Sequence, residues 1–184
     1  LQAWYQNAVG ITLNGSDVSQ WADSSTNGYN MVQATATEQP AYSAGVLTFV
    51  SADSNNLQTT GQVSLSGDFT LGIVFNPSIS APGTILGDNT TSNEFIKYTS
   101  TTNFRIKMDG TIANIPLDSG TFGDDYIVVT RVSNVLTLYK DGVAQSTTPT
   151  LAGTADIDAI GVRSSDQDFL DGAIKEIQIY NSSS

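Results

Sequence analysis

The clearest structural signal in the chain is the segment Asp68-Phe69-Thr70-Leu71-Gly72-Ile73-Val74-Phe75, which is followed by Asn76-Pro77. Its apolar residues recur at every second position, which places them on one face of a β-strand: Phe69, Leu71, Ile73 and Phe75. Proline has no amide hydrogen to donate to a ladder, so we predict that the strand stops at Asn76-Pro77. The segment therefore predicts a strand with one buried face.

Similar alternation recurs on both sides of this segment, between turns rich in Ser, Thr, Asn, Asp and Gly. The helical spacing of apolar residues at i, i+3, i+4 and i+7 is absent, so the sequence predicts an all-β chain. The first two further strands form a hairpin with one wet face, and we expect the meander to continue through the next ones. The N-terminal quarter predicts short strands that wrap one end of the fold. The further predicted strands are Phe95–Tyr98, Phe104–Met108, Tyr126–Val132, Val135–Lys140, Val143–Ser146 and Gly172–Tyr180.

Length, charge and composition narrow the function classes. The 184 residues predict a single domain spanning 1–184, and no apolar run reaches the ~20 residues that a membrane-spanning helix needs. With 18 acidic and 7 basic residues, the formal net charge is −11, which disfavours nucleic acid and anionic membranes as partners. The chain has neither cysteine nor histidine, which removes disulfides, the Ser-His-Asp triad and nearly all catalytic zinc sites. We expect a mature or excised domain, since no basic segment leads into an apolar stretch.

Several short motifs together resemble one known family. They occur in the expected order as Leu1-x-x-Trp4-Tyr5, Trp21-x-Asp23-x-Ser25, Leu136-x-Leu138-Tyr139-x-Asp141-Gly142 and Leu170-Asp171-Gly172-x-Ile174-x-Glu176-Ile177. In this combination the chain resembles the laminin-G-like, concanavalin A-like lectin and glucanase jelly rolls. The resemblance implies a sandwich of two antiparallel sheets, with a ligand site on a concave face or in rim loops. The segment Phe49–Leu57 departs from the family's usual Phe-Asp-Gly pattern.

A catalytic role is not expected. Catalytic members of the superfamily resemble one another in carrying two glutamates around an aspartate at alternate positions of one strand, and retaining hydrolysis needs two carboxyl groups about 5–5.5 Å apart. The glutamates of this chain are Glu38, Glu94 and Glu176, all far apart in sequence. We therefore expect that the protein is not an enzyme, and that Glu176 lies on a sheet face in a structural role.

Three carboxylates precede the last predicted strand, namely Asp166, Asp168 and Asp171. Calcium takes six to eight oxygen ligands, so this loop is a candidate for part of a calcium site, together with Asp156 and Asp158. The alternative is a solvated acidic loop in an acidic protein. The spacing is not that of an EF-hand, and both interpretations stay open at this point.

Two polar loops are candidate sites for a glycan ligand, because amides and carboxylates bind sugar hydroxyls while an aromatic ring stacks on a sugar face. The alternative is that Asn, Asp and Ser form turns there without any ligand. For Asp23, beside Trp21, we expect turn capping by its side chain. The candidate ligand-binding residues are Asp53, Asn55, Asn56, Asp88, Asn89, Asn93 and the nearby aromatic Tyr98.

The leading functional hypothesis from the sequence is a non-catalytic recognition or adhesion module. Its expected ligand is a surface glycan, and its expected place is extracellular, on a cell surface or a virus particle. One alternative is a structural virion component, such as a capsid decoration or tail-fibre domain, that packs against other subunits or forms a homo-oligomer. A polysaccharide-degrading enzyme is the third hypothesis, against which the residue inventory argues.

Overall fold

A computed structural model describes residues 1–78, 82–164 and 167–181, and it confirms the all-β prediction. Two single-turn 3-10 helices, Ala36–Glu38 and Ser51–Asp53, are the helical elements of these residues, and neither is long or apolar enough to cross a membrane. The strands are β1 Ala3–Tyr5, β2 Ile11–Asn14, β3 Asp17–Trp21, β4 Met31–Val32, β5 Ala41–Ser43, β6 Val46–Phe49, β7 Leu57–Leu65, β8 Phe69–Pro77, β9 Gly83–Gly87, β10 Phe95–Ser100, β11 Asn103–Met108, β12 Thr111–Pro116, β13 Asp125–Val132, β14 Val135–Lys140, β15 Val143–Ala144, β16 Ala155–Ile160 and β17 Gly172–Asn181.

The strands pair in two antiparallel sheets. In the first sheet, β17 pairs with β8 along one edge and with β6 and β1 along the other, and the order continues from β8 through β13 and β14 to β15. The second sheet has the order β2, β3, β4, β7, β16, β9, β10, β11 and β12. Strand β5 pairs with β3 and β6, so backbone pairing passes from one sheet into the other.

One apolar core lies between the two sheets, which confirms the predicted sandwich. Phe75 of β8 lies 6.3 Å from Tyr98 of β10 and 5.8 Å from Phe122, measured between ring centroids. Arg131 of β13 is also buried here, where its guanidinium donates to the Met108 sulfur of β11. Side chains of both sheets therefore meet in the middle, while every second residue of a strand faces outward.

Strand β8 is the segment from which the fold class was predicted. Its four alternating apolar residues are all buried, as expected. The strand ends at Pro77, which pairs with Gly172, so the predicted stop at Asn76-Pro77 is confirmed. Proline is tolerated at this terminal position because the next donation comes from Ser78, whose amide donates to the Asp171 carbonyl at 2.8 Å.

The predicted hairpins form with the expected turns. Strands β10 and β11 are joined through Thr101 and Thr102, and β13 and β14 through Ser133 and Asn134. In the β13–β14 turn, Ser133 and Asn134 have positive φ values of +50° and +67°. In the turn after β14, Asp141 and Gly142 have φ values of +50° and +81°. These are the values that a type I′ turn needs, so the Asp141-Gly142 prediction is confirmed.

The expectation of a continuous meander is wrong at one point. Strand β12, which the sequence patterns did not predict, returns along β11, and the chain then crosses to the first sheet, where β13 pairs with β8. Leu117 and Phe122 of the crossing segment are buried in the core. Period-two alternation fixes which face of a strand is buried, but it cannot distinguish two sheets that share one core.

The irregular alternation of apolar residues in β17 has a structural cause, which is a β-bulge. The register with β8 shifts between Ile174 and Glu176, so Lys175 is an extra residue of a β-bulge. Ile174 therefore faces inward before the bulge, and Ile177 and Ile179 face inward after it. Glu176 consequently faces outward on the first sheet.

Asp23 caps a turn in the N-terminal quarter, as expected. Its Oδ1 accepts hydrogen bonds from the amides of Trp4 at 2.9 Å and Ser25 at 2.8 Å, and its Oδ2 accepts from the amide of Tyr29 at 3.1 Å. Burial by itself would raise the pKa of this carboxyl, but these bonds and the Ser25 hydroxyl outweigh it and lower the pKa. Asp23 thereby ties β1 to the segment between β3 and β4, close in sequence to the buried Trp21.

Candidate functional site

In the first predicted ligand loop, the asparagine side chains form hydrogen bonds with backbone groups of the protein itself. Asn55 is buried, where its Oδ1 accepts from the Val50 amide and its Nδ2 donates to the Gln39 carbonyl. Asn56 is also buried, and its Nδ2 donates to the Ser54 carbonyl. Asp53 is exposed on the neighbouring 3-10 helix. The structure thus does not bring these three side chains together at one surface.

The second predicted loop is similar. Asp88 is buried, and its Oδ1 accepts from the amide and the hydroxyl of Thr90, both at 2.6 Å, which forms an Asx turn. Asn93 is exposed. Asn89 contributes to a polar groove of about 440 Å³, together with Glu38 and Gln58. Within the described residues, this groove includes one of the seven predicted ligand residues.

We correct the expectation for Tyr98. Its side chain is 1 % exposed, and its hydroxyl donates to the Asp171 carbonyl at 2.8 Å. Burial raises the pKa of this hydroxyl to about 12. The ring packs in the core beside Phe75 and cannot stack on a sugar.

The described residues do not fit the candidate calcium site. The Oδ2 of Asp168 accepts from Lys97 at 2.6 Å and from Arg163 at 2.6 Å, whereas Asp171 accepts from the amide and hydroxyl of Ser51. The two carboxylates are therefore satisfied by different partners. Asp166 lies outside the described residues, and no metal-type cluster of three carboxylates occurs among the residues that are described.

Acidic side chains do gather at the end of the second sheet, around Glu94 and Asp158. Burial is the main cause that raises the pKa of both carboxyls, and nearby Asp88 raises them further. Each carboxylate also accepts a backbone amide from a neighbouring segment, Glu94 from Asp156 and Asp158 from Asn89. Glu94 and Asp158 therefore connect neighbouring segments of the chain through these hydrogen bonds.

The outer face of the first sheet has a different character. Trp4 of β1, Gln178 of β17, Gly72 of β8 and Val128 of β13 follow one another across the strands in register. Because paired residues share a face and side chains alternate along a strand, the residues two positions away from this row on each strand also face outward. We call the surface formed by Trp4, Gly72, Tyr126, Glu176, Gln178 and Tyr180 the aromatic face.

Tyr126 lies across the middle of the aromatic face. A Cβ atom built on Gly72 would lie 3.1 Å from its hydroxyl oxygen and 3.5 Å from its ring, so the side chain extends over the glycine. The residue nevertheless remains 46 % exposed. An aromatic side chain above a glycine both covers the sheet backbone and presents one ring face to solvent.

A chain of hydrogen bonds runs along β17 beside this ring. The Tyr180 hydroxyl donates to Gln178 Oε1 at 3.4 Å, and Gln178 Nε2 donates to Glu176 Oε1 at 2.7 Å. The same Glu176 oxygen accepts from the indole nitrogen of Trp4 at 2.8 Å. Tyr180 is 40 % exposed, so the aromatic face combines accessible rings with an amide and a carboxylate held in place.

Chemically, the aromatic face offers flat rings and oriented polar groups. Flat rings and oriented amides match the apolar faces and hydroxyls of sugars. Hydrolysis of a glycosidic bond needs two carboxyl groups on either side of the bond, whereas the surface as defined contains only the carboxylate of Glu176. That carboxylate is already hydrogen-bonded to Trp4 and Gln178.

Sequence reasoning missed Tyr126, Tyr180 and Gln178 as site residues. The signal for an outward position existed, because Tyr126 alternates with buried Ile127 and Val129, and Tyr180 follows buried Ile179. The pairing of β8 with both β13 and β17 brings Tyr126 to Gln178 and Tyr180, which lie far from it in the chain.

A family model for concanavalin A-like lectins and glucanases, of the laminin-G type, matches residues 50–183. The chain belongs to the concanavalin A-like lectin/glucanases superfamily. This match agrees with the resemblance of the sequence motifs and with the antiparallel sandwich. No curated protein sequence matches the chain significantly.

Several solved structures have a similar fold. Domain 4 of AbnA, a GH43 extracellular arabinanase from Geobacillus stearothermophilus, was solved with arabinotriose; it has a TM-score of 0.63 and 16% identity over 99% of this chain and 92% of that one. A Trypanosoma rangeli sialidase with the inhibitor DANA has a TM-score of 0.60 and 16% identity, over 97% of this chain and 30% of the enzyme. Domains LG4-5 of the mouse laminin alpha1 chain match at 0.50 and 13%, over 76% and 43%. At these identities the likeness shows the fold alone.

Proposed function

We propose that this superfamily member is a non-catalytic recognition module that binds a glycan on the aromatic face. The observation that carries the proposal is the pair of accessible rings, Tyr126 and Tyr180, beside the hydrogen-bonded series Trp4, Glu176 and Gln178. Stacking of a sugar on a ring contributes dispersion and excludes water, and the fixed polar groups orient the hydroxyls.

The comparisons support the ligand class in general terms. The similar arabinanase domain was solved with arabinotriose, and the similar Trypanosoma rangeli sialidase was solved with sialic acid and with the inhibitor DANA. Both kinds of protein handle carbohydrate, and the arabinanase is extracellular. These neighbours support our proposal that the module acts outside the cell, on a cell surface or a virus particle.

The absence of an acid and base pair on the aromatic face supports binding without turnover. Glu176 has its outward position because of the bulge at Lys175, and its Oε1 is shared by two donors. A carboxylate engaged in this way orients its neighbours. We propose that its role is to hold the indole of Trp4 and the amide of Gln178 in fixed positions for the ligand.

Affinity electrophoresis with arabinan, xylan, galactan and mixed-linkage β-glucan tests the proposal. Wild-type protein is expected to be retarded by at least one of these neutral polysaccharides, and Tyr126→Ala and Tyr180→Ala are each expected to weaken binding about fivefold or more. Ile112→Ala is the matched control, because Ile112 is equally exposed, at 46 %, on β12 of the other sheet. Retardation by none of the polymers, or binding as tight as wild type by both tyrosine variants, contradicts the proposal.

A reducing-sugar assay on the retained polysaccharide separates binding from hydrolysis. We expect no release of reducing ends above the rate of a heat-denatured sample. Release that depends on Glu176, tested with Glu176→Gln, would instead support the enzyme hypothesis.

The structural-subunit hypothesis has one observation in its favour. Val132 and Val135 pair across the β13–β14 hairpin, and both are exposed, Val132 at 60 %. Light scattering at increasing protein concentration tests whether this end associates. A monomer at all concentrations disfavours self-association, and Val132→Asp is expected to abolish an oligomer that uses this end.

A further inference from the structure

The positive charges of this acidic protein are concentrated on the other sheet. Of the 7 basic residues, four lie together on the outer side of β10 and β11 and in the loop after β16. Lys97 pairs with Arg105 in the ladder, and Lys107 pairs with Phe95, so these side chains share one face. We call Lys97, Arg105, Lys107 and Arg163 the cationic cluster.

Phe95 lies at the centre of the cationic cluster. The Nζ atoms of Lys97 and Lys107 lie 5.3 Å and 5.8 Å from the centroid of its ring, and the Cζ atom of Arg163 lies 5.0 Å from it. Attraction between each cation and the face of the ring helps to hold the cations in place. Holding three like charges around one ring also carries a repulsive cost.

Asp168 offsets only part of this charge. It forms ion pairs with Lys97 and Arg163, both at 2.6 Å, and the other two cations contact neutral oxygens. Arg105 Nε donates to Asn114 Oδ1 at 2.8 Å, and Lys107 Nζ donates to the Ser92 carbonyl at 2.8 Å. Among the described residues the cluster keeps a surplus of positive charge, and both of these cations retain unused donors.

Thr84 of β9 provides a second observation at the same place. It pairs with Lys97 in the ladder and is fully buried, yet its hydroxyl has no hydrogen-bond partner among the described residues. A buried hydroxyl without a partner is costly unless something else satisfies it. A hydroxyl group without a hydrogen-bond partner therefore lies beside the surplus positive charge.

We propose that the cationic cluster is a second binding site, which takes a short carboxylate- or sulfate-bearing stretch of an acidic glycan. Arg105 and Lys107 are partly exposed and contact the anionic groups directly. Lys97 and Arg163 hold Asp168 in position and contribute to the positive electrostatic potential at the site. The site extends the proposed function, on which its ligand class rests, to a different surface.

Charge around the cluster favours a glycan over a nucleic acid. Duplex DNA carries about one negative charge per 1.7 Å of its axis, so it would run beyond four cations onto an acidic surface. Glu94 and Asp88 lie next to the Phe95 end of β10 and limit the site to a short segment. A short stretch of an acidic polysaccharide carries only a few charges and fits such a segment.

The test compares the full chain on charged polymers and their neutral counterparts. The probes are polygalacturonate and its methyl ester, dextran sulfate and dextran, and an oligodeoxythymidylate, measured by biolayer interferometry at 50 mM NaCl. We expect at least tenfold tighter binding to polygalacturonate, to dextran sulfate or to both than to the uncharged partner. The arm that responds identifies carboxylate or sulfate as the preferred group.

Variants then locate the site. Arg105→Gln with Lys107→Gln is expected to lose at least tenfold in affinity for the acidic polymer, and Arg105→Lys with Lys107→Arg is expected to retain most of it. Lys175→Gln is the control, because Lys175 pairs with Asp124 on the other side of the molecule. Neutral-glycan binding through the aromatic face should be unchanged in all three variants, so failure of this proposal is distinguishable from failure of the proposed function.

Three results overturn the proposal. They are equal binding of wild-type protein to charged and neutral polymers, full binding by the double glutamine variant, and tighter binding to the oligonucleotide than to both acidic polysaccharides. The first comparison needs no variant, so it stands even where a substitution unfolds the protein.

Discussion

The two outer faces of the sandwich are built by the same alternation but carry opposite chemistry. On the first sheet the outward positions hold Trp4, Tyr126 and Tyr180, with Glu176 as the carboxylate among them. On the second sheet the outward positions hold Phe95 under a group of cations. The inward positions of both sheets are apolar and form one core. Folding constrains the inward half of each strand, which leaves the outward half free to differ between two surfaces.

The largest expected effect concerns a cation that belongs to neither face. Arg131 is buried between the sheets, and its Nε and Nη1 donate to the carbonyls of Gly67 and Gly153 at 2.6 Å and 2.7 Å. Arg131→Met leaves these carbonyls without a donor, so we expect the free energy of unfolding to fall by about 3 kcal/mol in urea denaturation. The same substitution at outward-facing Arg105 should change it by less than about 0.5 kcal/mol. Equal effects at both positions would contradict the distinction between core and surface cations.

Salt should separate the two faces next. The attraction between the cationic cluster and an acidic polymer is screened, since the Debye length falls from about 14 Å at 0.05 M to about 4 Å at 0.5 M salt. We expect polygalacturonate affinity to fall about tenfold or more over this range, while affinity for a neutral polysaccharide changes less than about twofold. Interferometry at five NaCl concentrations measures both. Parallel salt dependence for the two ligands would mean that they share one surface.

Gly72→Ala sharpens the role of the aromatic face. A Cβ at this position lies 3.1 Å from the Tyr126 hydroxyl, so the ring must tilt away from the sheet. We expect neutral-glycan affinity to fall about fivefold, the equivalent of about 1 kcal/mol for one stacked ring. Acidic-glycan affinity should not change. Gly123→Ala is the control, because a Cβ there meets no atom within 4 Å; a similar loss in that variant would contradict the proposed role of the ring.

The smallest expected effect concerns the acidic end of the second sheet. The pKa of the Asp158 carboxyl is raised by burial and by Asp88, so its ionised form is disfavoured in the folded protein, and stability falls as pH rises through that pKa. Asp158→Asn keeps the acceptor for the Asn89 amide and removes the charge. We expect the variant to be more stable than wild type at pH 7, by less than about 1 kcal/mol.

At pH 3 this advantage should disappear, because the wild-type carboxyl is then largely protonated in the unfolded chain as well. Thermal unfolding at the two pH values measures the difference. Asp53→Asn, at an exposed position, is the control and should leave the melting temperature unchanged. Destabilisation of Asp158→Asn at pH 7 would show that the charge itself is needed.

Sequence patterns predicted the strands well where the pattern was local. Strand β8, the β10–β11 and β13–β14 hairpins and the Asp141-Gly142 turn depend on neighbouring residues and backbone sterics, and all of them form. The turn role of Asp23 was also predictable, because its partners at Ser25 and Tyr29 follow within six residues.

The binding surfaces were less predictable. The polar loops were predicted as ligand sites because amides and carboxylates can bind sugar hydroxyls. In the structure, Asn55 and Asp88 instead accept hydrogen bonds from backbone amides of their own loops. Tyr98 was assigned to a loop site, but in β10 it alternates with Lys97 and shares the inward face of Ile96, where it packs against Phe75 across the core. The composition of a loop does not reveal which of its polar groups are already satisfied.

The amino-acid sequence alone determined the all-β class, the superfamily resemblance and the exclusion of histidine and cysteine chemistry, because these depend on local periodicity, motif order and composition. Only the tertiary structure decided that β13 crosses to the first sheet and that Tyr126 meets Gly72 and β17. It also decided that the cations of β10 and β11 gather with Arg163 around Phe95. The physical reason is that sheet assembly pairs strands distant in the chain, and the composition of an outward face is set by that pairing.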